Sequence, residues 1–240
     1  MLTFFHVATL PTQVGTSYTL DGTEGHHAAR VLRINIGEEL MLSDGQGGWS
    51  RVRTLSLDKK SLDLLVLDSG REEASSIHLT VIQAVIKGER SKENIELLTQ
   101  AGVHRIIPWQ AARSIGKMET GDEKLAKYAR EASKQSRRLW IPEISEVMQT
   151  QHLLPEIAQA DLAIILHENS EGKLSQVISS VKEISTLILI VGPEGGTTDE
   201  EVELMEKSGA QSARLGSPIF RSAHAGVAGL SALNLALRIW

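Results

Sequence analysis

The sequence of 240 residues contains no cysteine. Disulfides and thiolate metal sites are therefore excluded, and the chain fits a reducing compartment. Aromatic residues make up only 4% of it, so nucleic-acid recognition by base stacking is not advertised. No apolar run approaches the roughly 18 residues that suggest a membrane span. The amino-terminal stretch MLTFFHVATLP lacks the basic flank and small-residue cleavage site of a signal peptide, and a cytoplasmic location without membrane contact is expected. The eight histidines show no metal-ligand pattern. His26 and His27 are adjacent and cannot easily share one ion from a helix, so no metal is expected. No Ser-His-Asp set emerges from spacing. The net charge of −5 argues weakly against a nucleic-acid partner, although net charge averages over faces. What is present is ordinary for a globular chain: 41% hydrophobic and 23% charged residues, enough for one large or two modest domains.

Two patterns divide the chain. To about residue 70 it reads as short strands with one helical insertion. Strands are expected at Ser17–Asp21, Glu39–Ser43, Trp49–Leu57 and Leu62–Leu67. Asp44-Gly45-Gln46-Gly47-Gly48 is a hairpin turn signal between the second and third. A helix is expected over Glu24–Leu32, with His27, Val31 and Leu32 facing inward. Such a set suggests a small barrel. The polar run Ser69–Ser76 reads as a linker. Beyond it, strands at Ile77–Val85, Arg105–Pro108, Leu162–Leu166, Leu187–Val191 and Ala213–Leu215 alternate with helices at Lys92–Gln100, Glu123–Arg138, Leu174–Val181, Thr198–Ser208 and Ala223–Leu237. Alternation of this kind predicts a mainly parallel sheet covered on both faces.

The richest motif is Gly192-Pro193-Glu194-Gly195-Gly196, at the carboxyl end of the strand Leu187–Val191. Thr197 and Glu200 have the spacing of a capping box for the helix that follows. Open α/β sheets bind ligands at such strand ends. The loop has no lysine, and Glu194 would repel a pyrophosphate, so it suits a ligand that is neutral or cationic at this point. The sulfonium of S-adenosylmethionine fits. Two more loops close strands: His167-Glu168-Asn169, and Leu215 to Arg221, which leads into the last helix. Arg221, beside the start of that helix, can stabilise developing negative charge. His224 stands close by as a possible proton acceptor, although packing at the helix start is its plainer role. Basic residues cluster in four places: Arg30 with Arg33; Lys87 and Arg90 with Lys92; Arg113 with Lys117; and Lys127, Arg130, Lys134, Arg137 and Arg138, whose spacings of three and four share a helical face. They suit RNA phosphates or a set of solvated faces.

Taken in order, the motifs resemble a known family. Gly25-His26-His27, Val31-Leu32-Arg33, Gly37 and Asp44-Gly45 carry the resemblance in the first part. In the second it rests on Lys87-Gly88-Glu89-Arg90, Gly102-Val103 before Ile107-Pro108, Arg113-Ser114, Glu131-Ala132, Gln135-Ser136, Arg138, Pro142, Ile190 to Gly196 and Leu215 to Arg221. The set resembles the RsmE family, the 16S rRNA (uracil-1498-N3)-methyltransferases of the SPOUT superfamily. The resemblance implies an α/β protein with a PUA-like β-barrel over residues 1–72. A SPOUT domain with a carboxyl-terminal deep trefoil knot would follow over 73–240. It implies S-adenosyl-L-methionine held by Leu166, His167, Glu168, Gly192, Glu194, Gly195, Gly196, Leu215, Gly216, Ile219 and Phe220, with Arg221 catalytic. It implies 16S rRNA of the small ribosomal subunit held by Arg30, Arg33, Lys87, Arg90, Arg113, Lys134, Arg137 and Arg138. It also implies a homodimer through the final helix. The family's Leu-Arg-Thr-Glu-Thr-Ala is here Phe220-Arg221-Ser222-Ala223-His224-Ala225, so its glutamate is absent. Methylation of another RNA, or a non-catalytic role in ribosome assembly, are the competing readings.

Overall fold

A computed structural model of the chain describes residues 2–116, 123–179 and 183–240. It divides into two compact units, Met1–Ala74 with Ser133–Ile141, and Ser75–Ala132 with Pro142–Trp240.

The first unit is built on one five-stranded sheet. Its strands are β1 (Thr3–His6), β2 (Ser17–Leu20), β3 (Glu39–Ser43), β4 (Gly48–Leu57) and β5 (Leu62–Arg71), in the order β1-β3-β4-β5-β2. The β1 strand was not anticipated; it pairs parallel to β3. Strand β5 runs on to Arg71, so the first part of the expected linker is strand. Alternate residues of β4 and β5 point into a core of Phe5, Leu40, Leu42, Val52, Leu62 and Leu64, the period-two pattern of a half-buried sheet. Register shifts between Arg51 and Val52 and between Thr54 and Ser56 bend the β4–β5 pair.

The helical insertion differs from expectation. Helix α1 (Gly22–His26) passes directly into a π-helical turn, His27–Leu32. The wider turn moves each side chain off the 3.6-residue register. Val31 and Leu32 are therefore exposed, at 60% and 43%, while Ala28 and Ile34 enter the core. His27 is half-buried. Arg33, in the left-handed region at φ 54°, ends the turn. Gly25 is fully enclosed: a Cβ there would strike the carbonyl oxygen of Leu20 and lie 2.7 Å from that of Lys60.

The second unit is a parallel sheet in the order β12-β10-β11-β6-β7-β8. Its strands are β6 (His78–Ala84), β7 (Arg105–Gln110), β8 (Glu143–Ile144), β10 (Leu162–Leu166), β11 (Thr186–Val191) and β12 (Gln211–Ala213), and β9 (Met148–Gln149) also pairs with β7. Parallel strands covered on both faces need apolar residues at every position, and β10 and β11 supply them. Leu162, Ile164, Leu187, Leu189 and Val191 face one core, with Leu98, Leu230 and Leu233. Ala163, Ile165, Ile188 and Ile190 face the other, with Leu153, Ile157 and Met205. These partners come from α2 (Glu89–Gln100), α7 (Ser222–Ala236), α4 (Thr150–Gln159) and α6 (Asp199–Lys207). Helix α4 escaped sequence reading because Pro155 stands inside it. Helices α3 (Glu123–Ser136) and α5 (Leu174–Ser179) complete the set, and the expected end of α5 at Val181 lies outside the described residues. Strand β12 ends at Ala213, two residues before the expected Leu215. Among the described residues no helix is long and apolar enough to cross a membrane.

The enclosure of Gly25 gives a direct test. The two obstructing atoms are backbone oxygens that cannot rotate away. Gly25→Ala is expected to lower stability by about 1–3 kcal/mol, read as a shift of the urea midpoint with an unchanged m-value.

Candidate active site

Strand register decides where the site lies. Leu166, the last residue of β10, pairs with Val191, the last of β11, and with Ala213, the last of β12. Three neighbouring strands thus end in one row, and the loops after them leave the sheet at the same height. His167 N–H reaches across to the Ala213 carbonyl at 3.0 Å, fixing the first loop to the end of β12. The third loop is pinned at its start, where Arg214 N–H donates to Gly172 O and Leu174 N–H donates to Arg214 O.

The glycine-rich loop after β11 closes by a turn in which Gly196 N–H donates to Pro193 O at 2.9 Å, with Gly196 at φ 76°. A Cβ on Gly192 would collide with the Thr197 hydroxyl. The capping box lies one residue later than the spacing suggested: Thr198 is the cap of α6 and Glu201 its partner. Thr197 is instead buried against the loop.

A buried polar chain ties this loop to the start of α7. The Ser222 hydroxyl donates to Gly192 O at 2.6 Å and accepts from Gln83 Nε2 at 3.1 Å. Asn94 Nδ2 donates to Gln83 Oε1 at 3.2 Å and to Ala223 O at 2.9 Å. Gln83, Asn94 and Ser222 are all buried. Sequence reading missed all three, since polar side chains scattered over 139 positions carry no local signal. Their effect is to hold Arg221, the cap of α7, next to Gly192.

Between the loops lie two adjoining hollows. One, of about 180 Å³, is lined by Leu166, His167, Glu168, Asn169, Arg214, Leu215, Gly216, Ile219 and Phe220 among others. The other, of about 290 Å³, is lined by Leu166, Glu168, Gly192, Pro193, Glu194, Gly196, Thr197, Ile219, Phe220, Arg221 and Ser222 among others. The structure thus brings Leu166, His167, Glu168, Gly192, Glu194, Gly196, Leu215, Gly216, Ile219, Phe220 and Arg221 to one place. Gly195 does not line either hollow; it faces Arg113, whose Nη1 donates to Gly195 O at 3.4 Å. Asn169 lines the first hollow as part of the expected loop, while Arg214, Thr197 and Ser222 are lining residues that sequence reading did not assign to the site. Ile219 is 77% exposed and Phe220 49%. The Arg221 side chain is exposed and has no hydrogen bond or ion pair among the described residues. His224 lines neither hollow; its Nε2 lies 3.2 Å from the Glu93 carboxylate.

The other basic residues are distributed unevenly. Lys87 and Arg90 are exposed at the start of α2. Gly116 lies against the backbone of Lys87, so the loop carrying Arg113 runs beside it. Lys117 lies outside the described residues. Arg33 is exposed, and Arg30 Nε donates to Lys59 O at 3.2 Å. The expected stripe of five on one helix does not form. Helix α3 stops at Ser136, and Arg137, at φ 58°, turns the chain. Lys134 pairs with Glu24 at 3.0 Å with its side chain only 11% exposed. Arg138 is half-buried, and burial pushes its guanidinium down to about 10 against the opposing pull of Glu72. It stays charged at neutral pH but is withdrawn from solvent. Arg137 is the exposed member of this end of the stripe.

The hollow presents charges of both signs. Two carboxylates, Glu168 and Glu194, line it beside backbone groups of three loops, and Arg214 and Arg221, whose guanidinium groups have no partner among the described residues, line it too. Among the described residues no group of three or more potential metal-binding side chains occurs. Ser222→Ala removes the side-chain partner of the half-buried Gly192 carbonyl and one of the two acceptors of Gln83 Nε2, which keeps Ala84 O at 3.2 Å, and is expected to cost about 1 kcal/mol of stability in urea titration.

Residues 73–234 match the model of an RNA methyltransferase domain, and residues 20–67 that of an RNA methyltransferase PUA domain. The chain is 34% identical to ribosomal RNA small subunit methyltransferase E of Mycobacterium bovis, over 98% of this chain and 92% of the relative. It is 30% identical to the protein of the same name from Bacillus subtilis, over 91% of this chain and 90% of the relative. A Legionella pneumophila structure holding the cofactor SAM matches with a TM-score of 0.86 at 25% identity, over 98% of both chains.

Proposed function

This chain belongs to the ribosomal RNA small subunit methyltransferase E family, and we propose that it transfers a methyl group from S-adenosylmethionine to N3 of one uridine in 16S rRNA. The family target, U1498, is the expected site. The observation that carries this reading is the convergence of three level strand ends on hollows lined by Glu168, Glu194 and the unpaired Arg221.

The residues present fit S-adenosylmethionine. Gly192 lets the loop pack directly on Thr197 and Gly196 lets it turn, which leaves a tight loop with its backbone at the hollow. Glu168 and Glu194 favour a sulfonium, where they would disfavour a phosphate. Leu166, Ile219 and Phe220 offer apolar surface to a nucleoside. Bound there, S-adenosylmethionine supplies a methyl group activated by its sulfonium.

The chain's own groups do the rest. N3 of uracil is a weak nucleophile until its proton leaves, and the resulting charge spreads onto the flanking carbonyl oxygens. Arg221 stabilises that charge. Its place beside the glycine loop, fixed by the Ser222–Gly192 bond, holds it against the reacting base rather than leaving it to search. Glu194, which lines the same hollow, or water takes the proton; His224, turned to Glu93, is less well placed. N3 lies on the pairing edge, so the target base is unpaired or extruded when it reacts. Lys87, Arg90 and Arg113 on the second unit and Arg30, Arg33 and Arg137 on the first hold rRNA phosphates. Lys134 and Arg138, already engaged within the first unit, act by shaping it.

Residues 1–72 are read as the PUA-like barrel, whose compact unit also takes in Ser133–Ile141, and 73–240 as the SPOUT domain with its knot. The position of β12 outside β10 rather than beside β11 supports that topology. Helix α7 has no polar face, and Leu235 and Trp240 are 71% and 61% exposed, which supports a homodimer through this end. A cytoplasmic site of action follows from the substrate.

Incubating the recombinant protein with small ribosomal subunits and S-adenosylmethionine is expected to yield N3-methyluridine at one position in 16S rRNA. Arg221→Ala is expected to lower that rate by about 10²–10³-fold, with cofactor affinity by calorimetry changed less than threefold. Near-normal turnover in the variant would refute the role given to Arg221. Absence of any methylated uridine with the wild type would refute the function.

A further inference from the structure

We propose that Glu201 is a positioning residue that sets Arg113 against the glycine-rich loop and so tunes the grip on RNA; this rests on the rRNA-methylating reading above. Glu201 is 6% exposed. Its Oε2 accepts from Thr198 N–H and from the Thr198 hydroxyl, each at 3.1 Å, which completes the cap of α6. Capping uses only that oxygen. Its Oε1 reaches outside the helix and accepts from Ala112 N–H at 2.8 Å and from the Thr150 hydroxyl at 3.0 Å. The Thr150 oxygen is held in turn by Nε1 of the fully buried Trp109 at 3.1 Å. A cap residue needs no burial, whereas a buried carboxylate needs hydrogen bonds to offset its lost hydration. One of the four bonds comes from the segment that follows β7, and one from the first residue of α4.

Ala112 immediately precedes Arg113, so fixing its amide fixes the base of that arginine. Arg113 then lies tightly against Gly195. The site of a Cβ on Gly195 is 3.2 Å from both Cβ and the carbonyl oxygen of Arg113. Arg113 Nη1 donates to Gly195 O, and it lies 3.9 Å from the Cβ position of Gly196, which is itself 3.8 Å from Glu168 Oε1. One carboxylate therefore connects the start of α6, the loop lining the hollow and the exposed guanidinium at its rim. Arg113 touches RNA; Glu201 acts through it. Losing Glu201 frees Arg113 to leave the glycine loop and weakens RNA capture. The three strand-end loops that line the hollow keep their own anchors, so cofactor binding is spared.

A double-mutant cycle tests this, because coupling is the signature of one residue acting through another. Steady-state rates are measured with small ribosomal subunits and S-adenosylmethionine as separately varied substrates. Arg113→Ala and Glu201→Ala are each expected to raise KM for the subunits about tenfold, as for loss of a charge-assisted contact. KM for S-adenosylmethionine should change less than threefold. In the Arg113→Ala background, Glu201→Ala should add less than twofold. Thr198→Ala, which weakens only the cap, should lower the melting temperature without raising KM for the subunits. If Glu201→Ala does not fold, Thr150→Val reads the same arm, with a rise of about threefold that vanishes without Arg113. Amide exchange gives a second readout that needs no RNA: Glu201→Ala, or Thr150→Val in its place, should speed exchange at Ala112. Effects on KM that multiply, or unchanged exchange at Ala112, would overturn the proposal. A wild type that does not methylate subunits, with exchange at Ala112 still dependent on Glu201, would overturn the functional reading and leave the positioning of Arg113 standing.

Discussion

The alignment of Leu166 with Val191 and with Ala213 is the constraint from which the site follows. Backbone hydrogen bonds set it, and the double-sided burial of β10 and β11 enforces it. A slip of one residue would carry Ile164 and Leu189 from one core to the other. Three loops of different sequence are thereby delivered to one place without any of them having to find the others. The chemistry then depends on short-range devices only. Gly192 packs on Thr197, Gly196 makes the turn, and Arg214 is pinned by backbone bonds on both sides.

Register alone would leave the third loop free to swing, because Arg221 stands eight residues beyond Ala213. The buried chain Asn94–Gln83–Ser222–Gly192 removes that freedom. It is costly to bury such groups unless each is satisfied, and a satisfied network specifies one arrangement. The polar groups under the site therefore act as a ruler between α7 and the glycine loop. Asn94 also donates to the carbonyl of Ala223. The carboxylates at the hollow are Glu168 and Glu194, on the other two loops.

Much of this was legible in the sequence, and the reasons for the exceptions are physical. Strands β10 and β11 were plain because parallel strands buried on both faces are apolar throughout. The loop Gly192–Gly196 was plain because glycine marks backbone that must turn or approach closely. Val31 and Leu32 were misplaced because a helical period assumes 3.6 residues per turn, and a π-helical turn breaks it. The basic stripe on α3 failed for a related reason: spacing puts residues on a face but cannot say that the helix ends at Ser136 or that Glu24 neutralises Lys134. The capping box was off by one because Thr197 and Thr198 are both competent caps, and only packing of Thr197 beneath Gly192 decides between them. Gln83, Asn94, Ser222 and Glu201 left no trace because their meaning lies in contacts between distant segments. The position of the loops was readable; the scaffold that holds them in place was not.

Co-crystallisation with S-adenosylmethionine measures the central claim directly. The account places the molecule in the hollow bounded by Leu166–Glu168, Gly192–Gly196 and Leu215–Arg221, with its sulfonium nearer to Glu168 or Glu194 than to any cation. Density for the molecule elsewhere on the protein, or loops that separate when it binds, would contradict it.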